Sequence, residues 1–343
     1  VRDNKRRKMS KSLGNSPDSL KLIDDYSADG VRVGLMLSSA AGNDLLFDES
    51  LCDQGKSFSN KIWNSLRLIK GWEVVDTDQP DYCSISIEWY NQKFNYTLNK
   101  INDHFSKFRI SDALMSIYKL IWDDFCSIFL EIIKPEYGQP IDQKTYNELI
   151  KIFEKNLIIL HPFMPFITEE LWHLIAKRNS DEAIIISNWP EFDIKLGNEI
   201  INDFEALQNI ISGIRNIRKK HLISFKESLS LSVINNDNFS KNYDSIIKKI
   251  CNIKDIKYED REIQDALSFR VESNIYSIPF EKEINFEEEI IRIREDLEYQ
   301  KGFLMSVNSK LENKSFTDNA PDSVVQNELK KKKDALSKIS VLE

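Results

Sequence analysis

The chain has 343 residues, of which 41% are apolar and 30% charged, and its formal net charge is −8. This composition is typical of a globular protein with two or three domains and argues against a disordered or fibrous one. The four cysteines are widely spaced without a CxxC pair, which argues against a disulfide framework and a structural zinc site. No apolar run approaches a membrane span and the start is basic, so we expect a cytoplasmic protein without a membrane partner.

The most informative stretch is a basic one near the start, Lys8-Met9-Ser10-Lys11-Ser12. The first twelve residues, 1–12, carry six cations and one anion, a local charge of about +5 in a chain of −8. Lysine supplies a mobile positive charge, and serine hydroxyls and backbone N–H groups supply donors. The stretch predicts a loop that binds a polyphosphate, with a solvated Lys/Ser-rich linker as the alternative.

This stretch resembles the KMSKS signature loop of class I aminoacyl-tRNA synthetases at all five positions. Residues 28–32 (ADGVR) and 43–47 (NDLLF) resemble sequences that follow this loop in the same enzymes. The resemblance implies that the five loop residues bind ATP, which enters with Mg²⁺, and that Lys11 is the strongest contact. It also implies that Lys8 and Lys11 act in catalysis by neutralising the leaving pyrophosphate. No residue of the chain is assigned to a bound metal.

Two short helices are predicted after the loop. A Ser-Pro-Asp sequence at 16–18 predicts the start of the first helix, in which Leu20, Ile23 and Tyr26 share an apolar face. Residues 27–30 interrupt this helix and begin the second one.

Two charged residues of the second helix are candidates for specific roles. Asp29 lies near the N-terminus, where a negative charge suits the helix dipole. For Arg32 we weigh a contact with phosphate or RNA against an ordinary salt bridge, and we favour the salt bridge.

Residues 51–195 read as a helical domain. Apolar side chains recur there at three- and four-residue steps, which indicates one buried face for each helix. Gly71 stands where the first of these helices should end. The pattern predicts an antiparallel helix bundle with an aromatic core. The repeating positions include Phe58, Ile62, Trp63, Leu66, Ile69, Trp89, Phe94, Leu98, Ala113, Ile117, Leu120, Ile121, Phe125, Ile128, Phe129, Leu149, Phe153 and Leu157.

Residues 58–64 (FSNKIWN) and 160–174 (LHPFMPFITEELWHL) resemble the anticodon-binding helical domain of the valyl, isoleucyl and leucyl synthetases. His161 reads as a hydrogen-bonded structural histidine rather than a catalyst. Core packing, rather than contact with RNA, is the favoured role of four aromatic residues: Trp63, Phe163, Phe166 and Trp172. For Asn60, Lys61 and Asn64 two roles remain open: they form a polar surface that faces RNA, or they belong to an ordinary solvated face.

Residues 196–283 change in character and predict a small α/β module. A long helix covers 199–220. Its basic end either contacts RNA phosphates or lies in solvent, where the helix dipole stabilises its positive charges. That end carries Arg215, Arg218, Lys219 and Lys220. The following elements are a strand at 229–233, a helix at 243–250 and strands at 256–258, 269–271 and 275–278. We identify no chemistry in this module.

Residues 284–343 show the spacing of a coiled coil, broken by a polar connection at 312–323. Two such helices predict an antiparallel hairpin, whose charged side chains either face solvent or contact RNA. The first seam is Ile290, Ile293, Leu297, Leu304, Val307 and Leu311, with Gln300 as its polar member. The second seam is Val325, Leu329, Leu336 and Ile339, interrupted by Lys332.

This hairpin resembles the arm of bacterial valyl-tRNA synthetases, notably in residues 311–316 and 320–325. An isoleucyl enzyme would suggest a terminal zinc module, for which the cysteines are missing, and leucyl enzymes are not expected to carry the hairpin. The resemblance implies a mainly α chain in four parts. These are a remnant of a class I catalytic domain (1–50), an anticodon-binding bundle (51–195), a connecting α/β module (196–283) and a tRNA-binding coiled-coil arm (284–343).

The implied activity is the attachment of valine to tRNA(Val) by a longer enzyme, with ATP, valine and the tRNA as partners and a monomer as the expected state. The chain begins inside what should be a catalytic domain, so we expect an N-terminally truncated protein that is inactive by itself. The alternatives are a non-catalytic tRNA-binding module, a fragment of an isoleucyl or leucyl enzyme, and a coiled-coil scaffold protein.

Overall fold

The computed structural model divides into two compact units, Val1–Pro279 and Phe280–Glu343. It describes residues 1–3, 5–38, 44–179, 181–191, 199–234, 241–261, 263, 266–279 and 286–313, and ten residues between 325 and 339. Helices predominate in both units, as the sequence predicts.

The N-terminal segment carries two short helices. Helix α1 (Ser19–Tyr26) begins after Asp18, and α2 (Ala28–Leu37) begins after Ser27. Ser27 has a positive φ of 67°, which redirects the chain between the two helices. The predicted interruption is therefore confirmed.

The structure shows which side of α1 packs against its neighbours. Leu20 and Ile23 are 71% and 41% exposed, whereas Leu22 is buried. Helix α1 contacts α2 and the next helix along the chain, Glu49–Lys70. Leu22 is the residue of α1 that is buried. The three-residue spacing of Leu20, Ile23 and Tyr26 describes a shared face but does not decide which face meets a neighbour.

The helix bundle follows. Its helices are α3 (Glu49–Lys70), α4 (Asp81–Ser106), α5 (Ile110–Lys119), α6 (Leu130–Ile133), α7 (Gln143–Leu160) and α8 (Pro165–Ile175). Two short strands, β1 (Val74–Val75) and β2 (Ile141–Asp142), pair in parallel beside them. Helix α3 ends at Lys70 and Gly71 follows, as predicted. The fully buried aromatic residues include Phe58, Trp89, Tyr90, Phe125, Phe129, Phe153 and Phe163.

Between α5 and α6 the chain continues as a π-helix, Leu120–Phe129. The Ser127 hydroxyl donates to the carbonyl oxygen of Trp122, five residues earlier, at 2.8 Å. The predicted three-four spacing spans this segment without indicating the wider turn, because the apolar residues on both sides remain buried.

Two of the four aromatic residues assigned to the core are not in it. Phe163 is buried and Trp172 packs partly buried against the core, as predicted. Trp63 is 37% exposed and Phe166 is 64% exposed, so the core assignment of these two is wrong. Trp63 follows the buried Ile62 directly, and one helical step turns a side chain by about 100° away from the buried row.

The α/β module contains the predicted elements. Helix α9 (Glu199–Lys220) precedes a sheet in the order β4-β3-β6-β5, in which β3 pairs with β4 in parallel and the other pairs are antiparallel. The elements are β3 (Leu229–Ile234), α10 (Asp244–Cys251), β4 (Ile253–Tyr258), β5 (Ala266–Val271) and β6 (Asn274–Pro279). The rings of Trp89 and Phe204 stack at 4.3 Å and 7°, and this contact joins the bundle to α9.

The second unit contains helix α11 (Phe286–Glu312), and its described residues between 325 and 339 are helical as well. Most of the connection predicted at 312–323 and the side chains of Ile290 and Ile293 lie outside the described residues. The described seam of α11 is buried or half-buried, as predicted, at Leu297, Gln300, Leu304, Val307 and Leu311.

The second seam is confirmed in part, since Val325 is half-buried and Ile339 is buried, as predicted. Glu328, Ala335 and Ile339 are buried, whereas Leu329 and Leu336 are 43% and 47% exposed. Together with the half-buried Lys332, the three buried residues are spaced by four, three and four positions. The seam therefore includes the carboxylate of Glu328 and the ammonium group of Lys332. At positions 329 and 336 the prediction is wrong, because the chain buries the preceding residues, Glu328 and Ala335, instead of the two leucines.

Close packing of α9 on the sheet gives a test of the module. A Cβ atom at Gly213 would lie 2.2 Å from Cε2 of Phe269, whose ring stacks on Tyr276 at 5.4 Å. We expect Gly213→Ala to lower the free energy of unfolding by about 1–2 kcal/mol, because overpacking outweighs the gain in helix propensity. Urea denaturation measures the change. Gly71→Ala, whose Cβ would make only ordinary contacts, is the control, and equal effects of the two substitutions would refute the packing argument.

Candidate functional site

The basic loop is built on a small backbone framework. Arg2 forms isolated bridges, antiparallel with Lys8 and parallel with Leu46. The backbone N–H of Met9 donates to the carbonyl oxygen of Val1 at 3.1 Å. The start of the KMSKS stretch is therefore fixed to the segment before it.

Asp3 and Asn15 hold the loop together. The buried Asp3 carboxylate accepts hydrogen bonds from the backbone N–H and the guanidinium of Arg7, both at 2.8 Å, and from Nδ2 of Asn15 at 3.1 Å. Asn15 also donates to the carbonyl oxygen of Lys8 at 3.2 Å and accepts from the N–H of Ser10 at 2.9 Å. Burial acts to raise the pKa of Asp3, but the hydrogen bonds from Asn15 and Arg7 lower it to about 2.

The KMSKS residues themselves lie on a turn. Residues 11–13 form one turn of 3-10 helix, and the hydroxyls of Ser10 and Ser12 lie 3.1 Å apart. The Lys8 and Ser12 side chains are exposed, and Met9 and Ser10 are half-buried. The side chain of Lys11 lies outside the described part of the chain. The structure thus gathers two hydroxyls on one turn.

Among the cations near the start whose side chains the structure describes, two have carboxylate partners. Nε of Arg2 lies 2.5 Å from Asp44, and Nη2 of Arg7 lies 2.7 Å from Asp3. Lys5, Arg6 and Lys8 are exposed. The positive charge offered to an anion is therefore smaller than the sequence count, and Lys8 is an exposed cation within the KMSKS stretch itself.

Helix α2 is joined to the start of α8 by two charged side chains. Asp29 is buried and accepts from the backbone N–H of Ile167 at 2.7 Å and of Phe166 at 3.4 Å. It therefore caps the N-terminus of a helix more than a hundred residues away, in addition to lying in the first turn of its own. Burial raises the pKa of Asp29, although these hydrogen bonds and the charge of Arg32 act to lower it.

Arg32 binds the turn before α8. Its Nε donates to the carbonyl oxygen of Phe163 at 3.2 Å and its Nη2 to that of Pro162 at 3.0 Å. Backbone carbonyls therefore replace the predicted salt bridge as its partners, and the guanidinium is engaged in the fold instead of being offered to phosphate. The sequence places these partners about 130 positions away, where no local pattern indicates them.

His161 is structural, as predicted. Its Nδ1 lies 2.7 Å from the Thr168 hydroxyl, which itself donates to the carbonyl oxygen of Met164 at 2.7 Å. The shared proton of the first contact therefore resides on Nδ1. Burial lowers the pKa of His161, while the charges of Glu169 and Asp29 act to raise it.

One face of α3 is open to solvent and is called here the α3 outer face. It consists of Asn60, Trp63, Asn64 and Arg67, all exposed. Lys61 is half-buried, with Nζ 5.4 Å from the centre of the Trp122 ring, and so lies beside this face. The arrangement combines amide donors and acceptors, an indole ring and a guanidinium on one helix.

The basic end of α9 contains fewer available cations than predicted. Arg218 is buried, and its guanidinium donates to the carbonyl oxygens of Ser224 at 2.8 Å and Cys251 at 2.9 Å. RNA contact, one of the two roles considered for this end of α9, does not apply to Arg218, since Nη1 and Nη2 donate to the protein backbone. Arg215, Lys219 and Lys220 are exposed.

The four cysteines are buried free thiols, and burial raises the pKa of Cys83, Cys126 and Cys251 to about 11. Within the described residues, no three His, Cys, Asp or Glu side chains are grouped as a metal site would require. Nor does the described part of the chain contain a helix both long and apolar enough to cross a membrane.

Comparison with known families assigns three segments. Residues 1–48 match the class I tRNA synthetases of the I, L, M and V group, and residues 88–235 match the anticodon-binding domain of tRNA ligase. Residues 285–343 match the valyl tRNA synthetase tRNA binding arm. The fold and the loop therefore belong to the class I aminoacyl-tRNA synthetases.

Individual relatives narrow the assignment. The chain is 55% identical to valine–tRNA ligase of Christiangramia forsetii, 48% to that of Phocaeicola vulgatus and 33% to that of Listeria innocua. Each match includes 100% of this chain and 39–40% of the relative, so the chain spans about two fifths of their length. It belongs to the valine–tRNA ligase family, which confirms the resemblance.

A search of solved structures also returned a partial match. The leucyl enzyme (LeuRS) of Agrobacterium radiobacter K84, in a ternary complex with tRNA and LeuAMS, is 23% identical with a TM-score of 0.39. The similarity covers 56% of this chain and 23% of that one.

The joint between α2 and α8 gives a second test. We expect Asp29→Ala to lower the free energy of unfolding by about 2 kcal/mol, because it leaves the half-buried N–H of Ile167 without its acceptor. Asp29→Asn keeps one acceptor oxygen, so its free energy of unfolding should lie between those of the wild type and Asp29→Ala. Asp24→Ala, at an exposed position of α1, is the control and should change stability by less than about 0.5 kcal/mol. Denaturation followed by tryptophan fluorescence compares them, and similar values for Asp29→Ala and Asp24→Ala would contradict the capping role.

Proposed function

We propose that this chain works as part of a valine–tRNA ligase, to which it contributes the signature loop and surfaces that bind tRNA. The observation that carries the proposal is the 55% identity to such a ligase along the whole chain, from the loop to the arm. The proposal includes the division at residues 50, 195 and 283, a monomeric state and a cytoplasmic location.

The proposed chemistry has two steps. A carboxylate oxygen of valine attacks the α-phosphorus of ATP, the bond between the α-phosphorus and the bridging oxygen breaks, and pyrophosphate leaves with that oxygen. A hydroxyl of the terminal ribose of the tRNA then attacks the carbonyl carbon of valyl-adenylate, so that an ester forms and AMP leaves. Negative charge develops on each leaving group, and fixed donors that meet this charge lower the barrier.

In the first step, the loop is proposed to bind ATP, supplied as its Mg²⁺ complex. Lys8 and Lys11 would neutralise the developing charge on pyrophosphate, while Ser10, Ser12 and the backbone of Met9 would orient the phosphates. The contacts of Asn15 support this role, because they hold the backbone of Lys8 and Ser10 before any ligand arrives. Contacts that strengthen only as the leaving group forms raise the rate more than they raise the affinity for ATP.

The α3 outer face is the proposed contact surface for the tRNA anticodon. Anticodon bases are unpaired, so their polar edges can meet amides such as those of Asn60 and Asn64, and their rings can stack on an exposed indole such as that of Trp63. Arg67 lies on the same face and suits a phosphate. The coiled-coil arm is proposed to hold another part of the tRNA, in agreement with the family that it matches.

The loop proposal is tested in a full-length valine–tRNA ligase that contains this chain. We expect Lys11→Ala to lower valine-dependent ATP–pyrophosphate exchange by about 10²- to 10³-fold, the range for one lost transition-state donor. Lys5→Ala, at an exposed lysine outside the KMSKS stretch, is the control. Exchange within threefold of wild type for Lys11→Ala, with tRNA binding intact, would favour the alternative of a tRNA-binding module whose loop is vestigial.

The RNA proposal is tested on the chain itself. We expect salt-sensitive binding to tRNA(Val), since phosphate contacts release counterions. Trp63→Ala should weaken this binding about tenfold if the indole stacks on a base, whereas Tyr137→Ala, at a fully exposed tyrosine elsewhere, should change it less than twofold. Fluorescence anisotropy measures both. Equal affinity for tRNA(Val) and for an unrelated hairpin RNA would count against an anticodon-reading surface.

A further inference from the structure

The turn after α9 displays an aromatic ring that the bundle and the sheet do not bury. Phe225 is 58% exposed, whereas the phenylalanines at the centre of the same unit are fully buried. Leu222, three positions earlier, is 53% exposed and has a positive φ of 51°. More than half of the surface of Phe225 is therefore open to solvent.

The protein holds this turn rigidly from two sides. Arg218, buried in α9, donates to the carbonyl oxygen of Ser224 at 2.8 Å, and its guanidinium carbon lies 5.7 Å from the centre of the Phe225 ring. Asn252, which has a positive φ of 51°, donates through Nδ2 to the carbonyl oxygen of Phe225 at 2.7 Å. The backbone that carries the ring is therefore fixed before any ligand binds, which lowers the entropy cost of binding.

The sequence around Phe225 is positively charged. Residues 215–226 contain five cations and no Asp or Glu, although the whole chain has a net charge of −8. Four of the five are exposed: Arg215, Lys219, Lys220 and Lys226. Glu227, the next residue, is the nearest acid along the chain, and its charge acts on the buried Arg218. The exposed cations suit an anionic polymer.

From these observations we infer that the turn at 222–226 binds an unpaired base of an RNA chain. The Phe225 ring stacks on the base, and Lys219, Lys220 and Lys226 pair with the flanking phosphates. An unpaired base fits better than a duplex, because bases inside a duplex already stack on one another and leave no open ring surface. The inference rests on the proposed function, to which it adds a second contact point for RNA outside the α3 outer face.

A second exposed phenylalanine provides a matched control. Phe108 is 83% exposed, has a positive φ of 55° and stands between Lys107 and Arg109. Both of these cations have a carboxylate partner, Lys107 with Asp103 and Arg109 with Asp112, each at 2.7 Å. The site at Phe108 therefore offers an aromatic ring without unbalanced positive charge.

The test measures anisotropy with a fluorescent, unstructured single-stranded RNA, with an RNA duplex of the same length and with tRNA(Val). We expect Phe225→Ala to weaken single-strand binding about tenfold, the usual effect of one lost stacking contact. Phe225→Trp, which keeps a stacking surface, and Phe108→Ala should stay within twofold of wild type. Duplex binding should change less than twofold in all three variants. Circular dichroism checks that each variant remains folded.

The outcomes separate the inference from the proposed function. If wild type binds tRNA(Val) and Phe225→Ala binds the single strand within twofold of wild type, the inference is wrong and the proposed function stands. If Phe225→Ala weakens single strand and duplex equally, Phe225 only supports a nonspecific basic surface and the inference is also wrong. A polyglutamate peptide that competes as well as RNA would overturn RNA as the partner. If wild type binds no RNA at all, both proposals fail.

Discussion

The capping of α8 by Asp29 is the interaction on which the architecture of the first unit depends. One buried carboxylate from α2 holds the first N–H groups of α8, and Arg32, one turn further along α2, binds the carbonyl oxygens just before them. A short segment that carries the KMSKS loop is thereby fixed to the helix bundle. Since one side chain accepts and the other donates, both kinds of backbone group at the α8 start are satisfied.

In the loop, too, side chains satisfy backbone hydrogen-bonding groups. Asn15, itself held by Asp3, forms hydrogen bonds with the backbone of Lys8 and Ser10, and the side chains of Lys8 and Ser12 remain exposed. A loop whose backbone is already ordered loses less conformational entropy when a phosphate binds. This is the physical advantage of Asn15, a residue that lies outside the KMSKS signature and that the sequence pattern left without a role.

Both surfaces that we propose to contact RNA are supported by buried residues of the first unit. The α3 outer face stands on a buried row that includes Phe58, Ile62 and Leu66, and the Phe225 turn stands on the buried Arg218. In both places, buried contacts support an exposed aromatic side chain next to polar or cationic groups. Rigid support of this kind lets a ring meet a base without rearrangement of the backbone.

Local pattern alone was enough for the positions of most elements, because helix and strand periods and end signals lie within the elements themselves. The end of α3 before Gly71, the full extent of α9 and the strands of the module are examples. The signature loop and the arm were recognisable because their characteristic residues lie close together in the sequence. Which faces are buried, and which partners distant charges find, depended on tertiary structure. Trp63 and Phe166 are exposed, Arg32 and Arg218 bind backbone carbonyls, and the second seam contains Glu328 instead of Leu329. A periodic pattern identifies residues that share a face, but the neighbours that cover that face come from distant parts of the chain.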